Sequence, residues 1–245
     1  MRLLLTNDDG YHAQGLQALA TALKQSGHAV WIVAPAENQS GKSCSLTLDR
    51  PLAATEHSAS NYSINGTPAD CIHIALTGLA SVDAFDAVIS GINDGANTGD
   101  DAIHSGTLSA AVQANMYGLP ALAVSLIDRG WAHLDTAVAI TQTVLAKLIT
   151  QPTPALWNLN VPNVAHCHSI QWTNIGRRTA SHPVSAFLSP KGERYFWLGK
   201  GGDTLPVADN DMATVAQNIA SLSPVTLDRT DYATLKQMTQ YGRSF

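Results

Sequence analysis

Two adjacent carboxylates, Asp8 and Asp9, follow an apolar run at residues 3–5 near the start of the chain. At about 4 Å, two such charges repel by roughly 4 kcal/mol at the effective dielectric of a protein surface. A fold that holds them together therefore needs a nearby cation, a shared proton or intervening water. Gly10 would let the chain leave the strand sharply, so that both side chains can face one site. The alternative is that Asn7 or one aspartate only caps the next helix.

Oxygen-bearing side chains also follow two other predicted strands. They are Asn38, Ser40 and Ser43 after one strand, and Asn93, Asp94, Asn97, Asp100 and Asp101 after another. Ligands of open parallel sheets bind beyond the carboxyl ends of the strands, so these loops can share one crevice with the acidic pair. Such hard oxygen ligands suit Mg²⁺ or Mn²⁺ better than Zn²⁺. The sequence has no Cys-x-x-Cys or His-x-x-x-His motif, which also disfavours zinc.

A glycine-rich segment at 91–106 leads into a predicted helix that begins near Ser105, Gly106 and Thr107. The free N–H groups and the partial positive charge of a helix start form a natural seat for a phosphate group. The alternative is that Ser105 or Thr107 is an ordinary helix cap. Next to an acidic metal crevice, we favour the phosphate interpretation.

Short apolar segments alternate with segments of helical periodicity through the first 165 residues. The predicted strands lie at 2–6, 29–35, 85–91, 120–126 and 155–162, and the predicted helices at 16–27, 66–79, 107–117 and 133–149. In the second helix, Thr67 and Asp70 have the spacing of a capping box and Pro68 suits the first turn. Fully apolar strands that alternate with helices predict an α/β sandwich around a mostly parallel sheet.

The pattern differs at 46–65, where alternation predicts strands or a hairpin, and again past residue 165. A hairpin is predicted at 187–199 with its turn at 190–192, followed by a short helix, a strand and a last helix near 231–241. We therefore divide the chain into a catalytic core at 1–165 and a C-terminal extension at 166–245, both within one overall domain.

Composition excludes several functional classes. The 245 residues are 45% apolar with a formal net charge of −5, and no Lys/Arg run exceeds the pair Arg177-Arg178. Binding to a nucleic-acid polymer or a membrane surface is therefore not expected. No apolar stretch suffices for a membrane-spanning helix, and the N-terminal run is too short for a signal peptide. Three widely spaced cysteines indicate free thiols in a cytoplasmic protein.

Five motifs occur in order within the first 126 residues: TNDDG, NQSG, NGTPADC, SGINDGANTGDD and HSGT. In order and spacing they resemble the SurE family, the survival-protein-E nucleotidases and acid phosphatases. The resemblance implies a Rossmann-like three-layer core whose C-terminal exchange hairpin and helix assemble a homodimer or homotetramer. It also implies metal-dependent hydrolysis of nucleoside monophosphates, with one Mg²⁺ or Mn²⁺ ion per subunit.

Carried over residue by residue, the resemblance implies metal ligands and catalytic residues in one place. The implied metal ligands are Asp8, Asp9, Ser40 and Asn93, with the two aspartates as catalytic residues. The implied phosphate contacts are Asn97, Ser105, Gly106 and Thr107, and we expect the Thr107 hydroxyl to donate to a phosphoryl oxygen. The segment 35–41 departs from the family pattern, because it keeps the metal serine but alters an acid–base pair beside it. This departure bears on loop packing and substrate preference.

The sequence alone leaves alternatives for the substrate, for the nucleophile and for the class of protein. A 5′-nucleotidase is expected, with 3′-nucleotidase and exopolyphosphatase activity as additional possibilities. The nucleophile is either water activated by the metal, which we favour, or a carboxylate of Asp8 or Asp9. A phospho-receiver domain is disfavoured because the predicted central strand ends in Ser90-Gly91 and no lysine follows the strand at 120–126. A non-catalytic nucleotide-binding module is the second rival.

Overall fold

The computed structural model describes residues 1–167, 169–205 and 207–239. Within these ranges the chain forms eleven strands: β1 (Arg2–Thr6), β2 (Ala29–Pro35), β3 (Ala54–Ser58), β4 (Asn61–Ile64), β5 (Ala87–Asp94), β6 (Ala121–Leu126), β7 (Leu156–Val161), β8 (Ile170–Trp172), β9 (Ser185–Leu188), β10 (Arg194–Trp197) and β11 (Ala220–Pro224). The same ranges contain six α-helices: α1 (Gln14–Gln25), α2 (Pro68–Ile74), α3 (Gly106–Met116), α4 (Leu134–Leu148), α5 (Asp211–Val215) and α6 (Tyr232–Thr239). Short 3₁₀ helices lie at Val82–Ala84 and Gly99–His104, and a π-helical turn at Ala75–Leu79 extends α2.

Nine strands form one sheet in the order β3-β4-β2-β1-β5-β6-β7-β11-β8. The strands from β4 to β7 in this order are parallel neighbours, whereas β3 and β11 run antiparallel to β4 and β7. β8 pairs parallel with β11. The sheet is mostly parallel, and helices alternate with its strands along the chain. This arrangement confirms the predicted Rossmann-like α/β fold.

Helices cover both faces of the sheet, and successive residues of β1 show how. Leu3 and Leu5 pack into the core formed with α1 and α4, whereas Leu4 packs into the core formed with α2 and α3. All three leucines are fully buried. Burying each stabilises the fold by about 1.5–3 kcal/mol, which explains why residues 3–5 of this strand are all apolar. The result is a three-layer sandwich with the carboxyl ends of the parallel strands at one edge.

β5 departs from regular pairing at a glycine. Its register with β6 shifts between Ser90 and Asn93. Between them, Gly91 has a φ of 137°, and a Cβ there would lie 2.4 Å from the carbonyl oxygen of Val124. A residue with a side chain would not fit this close approach. The strand therefore continues to Asp94, past the end predicted from the sequence, and carries Asn93 and Asp94 to the sheet edge.

The strands or hairpin predicted within 46–65 are present as the antiparallel pair β3 and β4. Residues 46–53 form no strand, and Thr47 among them donates from its backbone N and its hydroxyl to Asp70 at the start of α2. β8, a short exposed strand, was not predicted.

The C-terminal part contains the predicted hairpin. β9 and β10 pair antiparallel, and Gly192 N donates to Ser189 O at 2.9 Å within the turn. β8 and β11 from the same part of the chain complete the main sheet. The predicted last helix is present as α6, and its predicted end at 240–241 lies outside the described residues. None of the helices in the described ranges is long and apolar enough to cross a membrane.

Candidate active site

A cavity of about 490 Å³ opens at the carboxyl edge of the sheet. Five of the predicted site residues line it: Asp8, Ser40, Asn93, Asn97 and Ser105. Asp8 follows β1, Ser40 lies in the loop after β2, and Asn93 lies near the end of β5. Asn97 and Ser105 lie between β5 and α3. The parallel topology therefore gathers side chains that are distant in sequence.

Asp8 is held in a buried position against the start of α3. It is 4% exposed, and its Oδ1 accepts a hydrogen bond from the Thr107 hydroxyl at 2.6 Å. A Cβ at Gly106 would lie 2.8 Å from the Asp8 side chain, so glycine permits this contact. Burial raises the pKa of Asp8 above its ordinary value, and hydrogen bonds from Thr107 and Gly106 offset only part of that rise.

Asp9 is more open and is held by two other loops. Its Oδ1 accepts from Asn38 Nδ2 at 3.4 Å, and its Oδ2 accepts from Asp94 N at 3.2 Å. Burial and, next, the negative charge of Asp8 raise the pKa of Asp9 to about 6. The repulsion expected for neighbouring carboxylates is therefore present, and it would be relieved by a cation between them.

The two neutral residues of the predicted metal set are placed by local hydrogen bonds. Ser40 N donates to Asn38 Oδ1 at 2.9 Å, which shapes the loop after β2. Asn93 Nδ2 donates to Gly95 O at 2.9 Å, which fixes the plane of its amide. Both residues then face the cavity that Asp8 lines.

The donor chemistry of this edge fits a hard divalent cation. Within the described ranges, no group of three His, Cys, Asp or Glu side chains is arranged for a metal ion. A cation here would therefore use neutral oxygens from Ser40 and Asn93 besides the carboxylates of Asp8 and Asp9. Buried Asn7 Oδ1 is a further oxygen at this edge, and it accepts no hydrogen bond from the described residues. An all-oxygen set suits Mg²⁺ or Mn²⁺.

The predicted phosphate contacts at the start of α3 have roles within the protein. Ser105 Oγ accepts from Leu108 N at 3.0 Å and so caps the helix, while the residue still lines the cavity. The Thr107 hydroxyl donates to Asp8, whereas we expected it to donate to a phosphoryl oxygen. The reason is proximity, because Gly106 lets Asp8 approach the helix start closely. Thr107 thus acts on a predicted metal ligand, and phosphate contact by the Ser105-Gly106-Thr107 turn stays a proposal.

Asn97 is fixed by a buried polar network on β6 and β7. Its N donates to Asn160 Oδ1 at 2.9 Å and its Nδ2 donates to Ser125 Oγ at 2.8 Å. Its O accepts from Asn158 Nδ2 and Asn160 Nδ2, at 2.8 and 3.2 Å. Such a network holds the residue in one orientation at the cavity wall.

Two of the oxygen-bearing residues predicted at this edge are directed elsewhere. Ser43 donates from its hydroxyl to Ile103 O at 2.8 Å. Asp100 pairs with Arg177 Nε at 2.8 Å and accepts from Arg178 N at 2.7 Å. Their contacts tie the 3₁₀ helix Gly99–His104 to the loop after β2 and to the C-terminal part of the chain.

The cavity also contains residues that the sequence interpretation missed. Ile127, Asp128 and Arg129 line it from the loop after β6. The sequence held one signal for these residues, because their loop follows the carboxyl end of β6, a strand that was predicted at 120–126. The residue types alone did not single them out.

Comparison with known proteins agrees with this fold and cavity. The family described as Survival protein SurE matches residues 3–182. The crystal structure of SurE protein from Aquifex aeolicus matches with a TM-score of 0.84 and 31% sequence identity, over 98% of this chain and 99% of that chain. The chain therefore belongs to the SurE family, whose members are in general metal-dependent nucleotidases and phosphatases.

Proposed function

We propose that this protein is a divalent-metal-dependent phosphohydrolase that removes phosphate from nucleoside monophosphates, with 5′-nucleotidase activity as its main reaction. The observation that carries the proposal is the cavity shared by Asp8, Ser40, Asn93 and Ser105. It combines carboxylates, neutral oxygen donors and a helix start, which are the groups that bind a cation and a phosphate side by side.

In this proposal Asp8, Asp9, Ser40 and Asn93 hold one Mg²⁺ or Mn²⁺ ion. When bound, the ion supplies charge neutralisation for phosphoryl oxygens and activation of water. Asp8 and Asp9 are the catalytic residues because they fix the position of that charge. Two carboxylates neutralise a divalent ion and the other two ligands are uncharged, so an anionic substrate can still approach.

The substrate phosphate is proposed to lie between the cation ligands and the start of α3. Phosphoryl transfer depends mainly on positioning and charge stabilisation, and the chain supplies both. Asn97 and the Ser105-Gly106-Thr107 turn are the proposed contacts. The buried network around Asn97 restricts its motion, which favours one substrate orientation.

The remaining parts of the proposal concern organisation. We propose that residues 1–165 act as the catalytic core and that residues 166–245 form an extension whose hairpin and helix assemble a homodimer or homotetramer. The solvent-exposed aromatic residues of β9 and β10 support this role. We also propose a cytoplasmic location, because Cys44, Cys71 and Cys167 are all free.

A phosphatase screen tests the proposed function. The purified protein is assayed on 5′- and 3′-nucleoside monophosphates and on polyphosphate, with Mg²⁺, with Mn²⁺ or with a chelator. We expect release of phosphate from 5′-monophosphates that stops in the chelator and returns with added ion. Binding of nucleotides without turnover would instead identify a non-catalytic binding module. Full activity after exhaustive chelation would reject the metal-dependent reaction.

A further inference from the structure

The turn after β6 carries an arginine, Arg129, to the cavity. Asp128 has a φ of 61° and Gly130 a φ of 101°, so the chain turns tightly around Arg129. Gly130 N donates to Asp94 Oδ1 at 2.7 Å, and Asn163 Nδ2 donates to Gly130 O at 2.9 Å and Asp128 O at 3.2 Å. The backbone on both sides of Arg129 is therefore fixed to β5 and to the end of β7.

Acidic residues dominate the charge of this cavity. Asp8, Asp94, Asp101 and Asp128 line it, whereas Arg129 is the only Lys or Arg among its described lining residues. Of these aspartates, Asp101 forms an ion pair with Arg178, a residue outside the lining, at 2.9 Å. No carboxylate among the described residues forms an ion pair with the Arg129 guanidinium. A phosphate monoester that enters so acidic a cavity is repelled unless positive charge accompanies it.

Arg129 lines the same cavity as Asp8, Ser40 and Asn93 of the predicted metal set. A side chain on a fixed turn at this cavity, in no ion pair with the described residues, is placed to contact a ligand bound there.

We propose that Arg129 binds the reacting phosphate group of the substrate through its non-bridging oxygens. This inference rests on the proposed function and adds a phosphate-binding residue on the loop after β6. An arginine suits the task because its planar fork can donate two parallel hydrogen bonds to one phosphate. A contact to the sugar or base would leave the phosphate charge facing the carboxylates, so the phosphate is the favoured ligand.

The experiment compares Arg129→Ala and Arg129→Lys with the wild type. The substrates are a 5′-nucleoside monophosphate and p-nitrophenyl phosphate, which lacks both sugar and base. Arg129→Ala should lower kcat/KM about 10- to 150-fold on both substrates, the effect of losing a hydrogen bond to a charged group. Arg129→Lys should lose less, because it keeps the charge but not the fork. Arg229→Ala, an exposed arginine outside this cavity, is the matched control and should leave both rates unchanged.

A binding measurement separates this inference from the proposed function. Calorimetry with inorganic phosphate in the presence of Mg²⁺ should show affinity weakened by a similar factor in Arg129→Ala, even if the wild type hydrolysed neither substrate. Mg²⁺ affinity itself should not fall, which distinguishes loss of an anion contact from damage to the fold. Unchanged phosphate affinity, or a loss of activity confined to the nucleotide, would overturn the assignment.

Discussion

The Thr107 hydroxyl donates a hydrogen bond to Asp8 Oδ1 at 2.6 Å, and the two residues are 99 positions apart in sequence. Both are buried, with Thr107 fully so. The bond therefore links the end of β1 to the start of α3, where the predicted metal-binding and phosphate-binding sites are adjacent. It makes Thr107 a positioning residue for Asp8.

Replacing Thr107 by valine keeps the volume but removes this donor. We expect Mn²⁺ affinity and kcat/KM to fall together by about 10- to 100-fold, as for other residues that orient a metal ligand. Calorimetry for the ion and steady-state kinetics on a nucleoside monophosphate measure the two effects. Thr107→Ser should restore most of both, since it keeps the hydroxyl.

Thr141→Val is the matched control for that substitution. Thr141 is also fully buried, but its hydroxyl donates to Ala137 O within α4. It should affect neither metal affinity nor kcat/KM. If Thr107→Val lost activity with unchanged Mn²⁺ affinity, the hydroxyl would act on the substrate, as the sequence first suggested.

Replacing Asp8 by asparagine removes half of the acidic pair. We expect kcat/KM to fall by more than about 100-fold, because loss of a ligand exceeds the cost of loosening one. In the ion-free protein, the pKa of Asp9 should drop below about 6, since the charge of Asp8 contributes to raising it. Carboxyl NMR titration measures this shift, and Asp135→Asn on the exposed start of α4 is the control. Activity equal to the wild type would remove Asp8 from the proposed mechanism.

Asp70 makes stability depend on pH through the cap of α2. Burial acts to raise the pKa of Asp70, but hydrogen bonds from Thr47 and Thr67 outweigh it and lower the pKa below its ordinary value. A depressed folded-state pKa stabilises the protein above the unfolded value, near pH 4, and this contribution is lost as pH falls through the folded pKa.

Urea unfolding at several pH values tests this expectation with Asp70→Asn. The variant should lose about 1–3 kcal/mol at pH 7, because charge-assisted hydrogen bonds are weakened. Its disadvantage relative to the wild type should shrink as pH falls below about 4. A constant difference between the two proteins from pH 7 to pH 3 would contradict this role of the Asp70 charge.

Local signals in the sequence predicted more of this molecule than long-range ones. The capping box of Thr67 and Asp70 depends on four neighbouring residues, and the structure confirms it. The mostly parallel sheet and the shared edge also followed, because fully apolar strands that alternate with helices predict parallel neighbours. The continuation of β5 past Gly91 did not follow, since it depends on how closely Val124 approaches from the next strand.

The same distinction holds at the candidate site. The ends of three predicted strands were enough to predict that one cavity is lined by Asp8, Ser40 and Asn93. The hydrogen bond from Thr107 to Asp8 could not, because it depends on the packing distance that Gly106 permits. Arg129 was missed because nothing in its neighbours marks it, and its importance comes from the acidic residues that other loops bring to the cavity.

The hairpin of β9 and β10 leads to a prediction about assembly. Phe187, Phe196 and Trp197 are 51%, 56% and 74% exposed. Phe196 and Trp197 are consecutive in β10, so both faces of the hairpin carry uncovered aromatic surface. An isolated two-stranded hairpin is at best marginally stable in water, and such surface normally packs against a partner. We therefore expect a dimer or larger assembly by light scattering at micromolar concentration.

Replacing Phe196 and Trp197 by serine should shift the mass towards the monomer while the circular dichroism of the core is kept. A monomeric mass for the wild-type protein would contradict the proposed role of the hairpin, as would an unchanged assembly in the double variant.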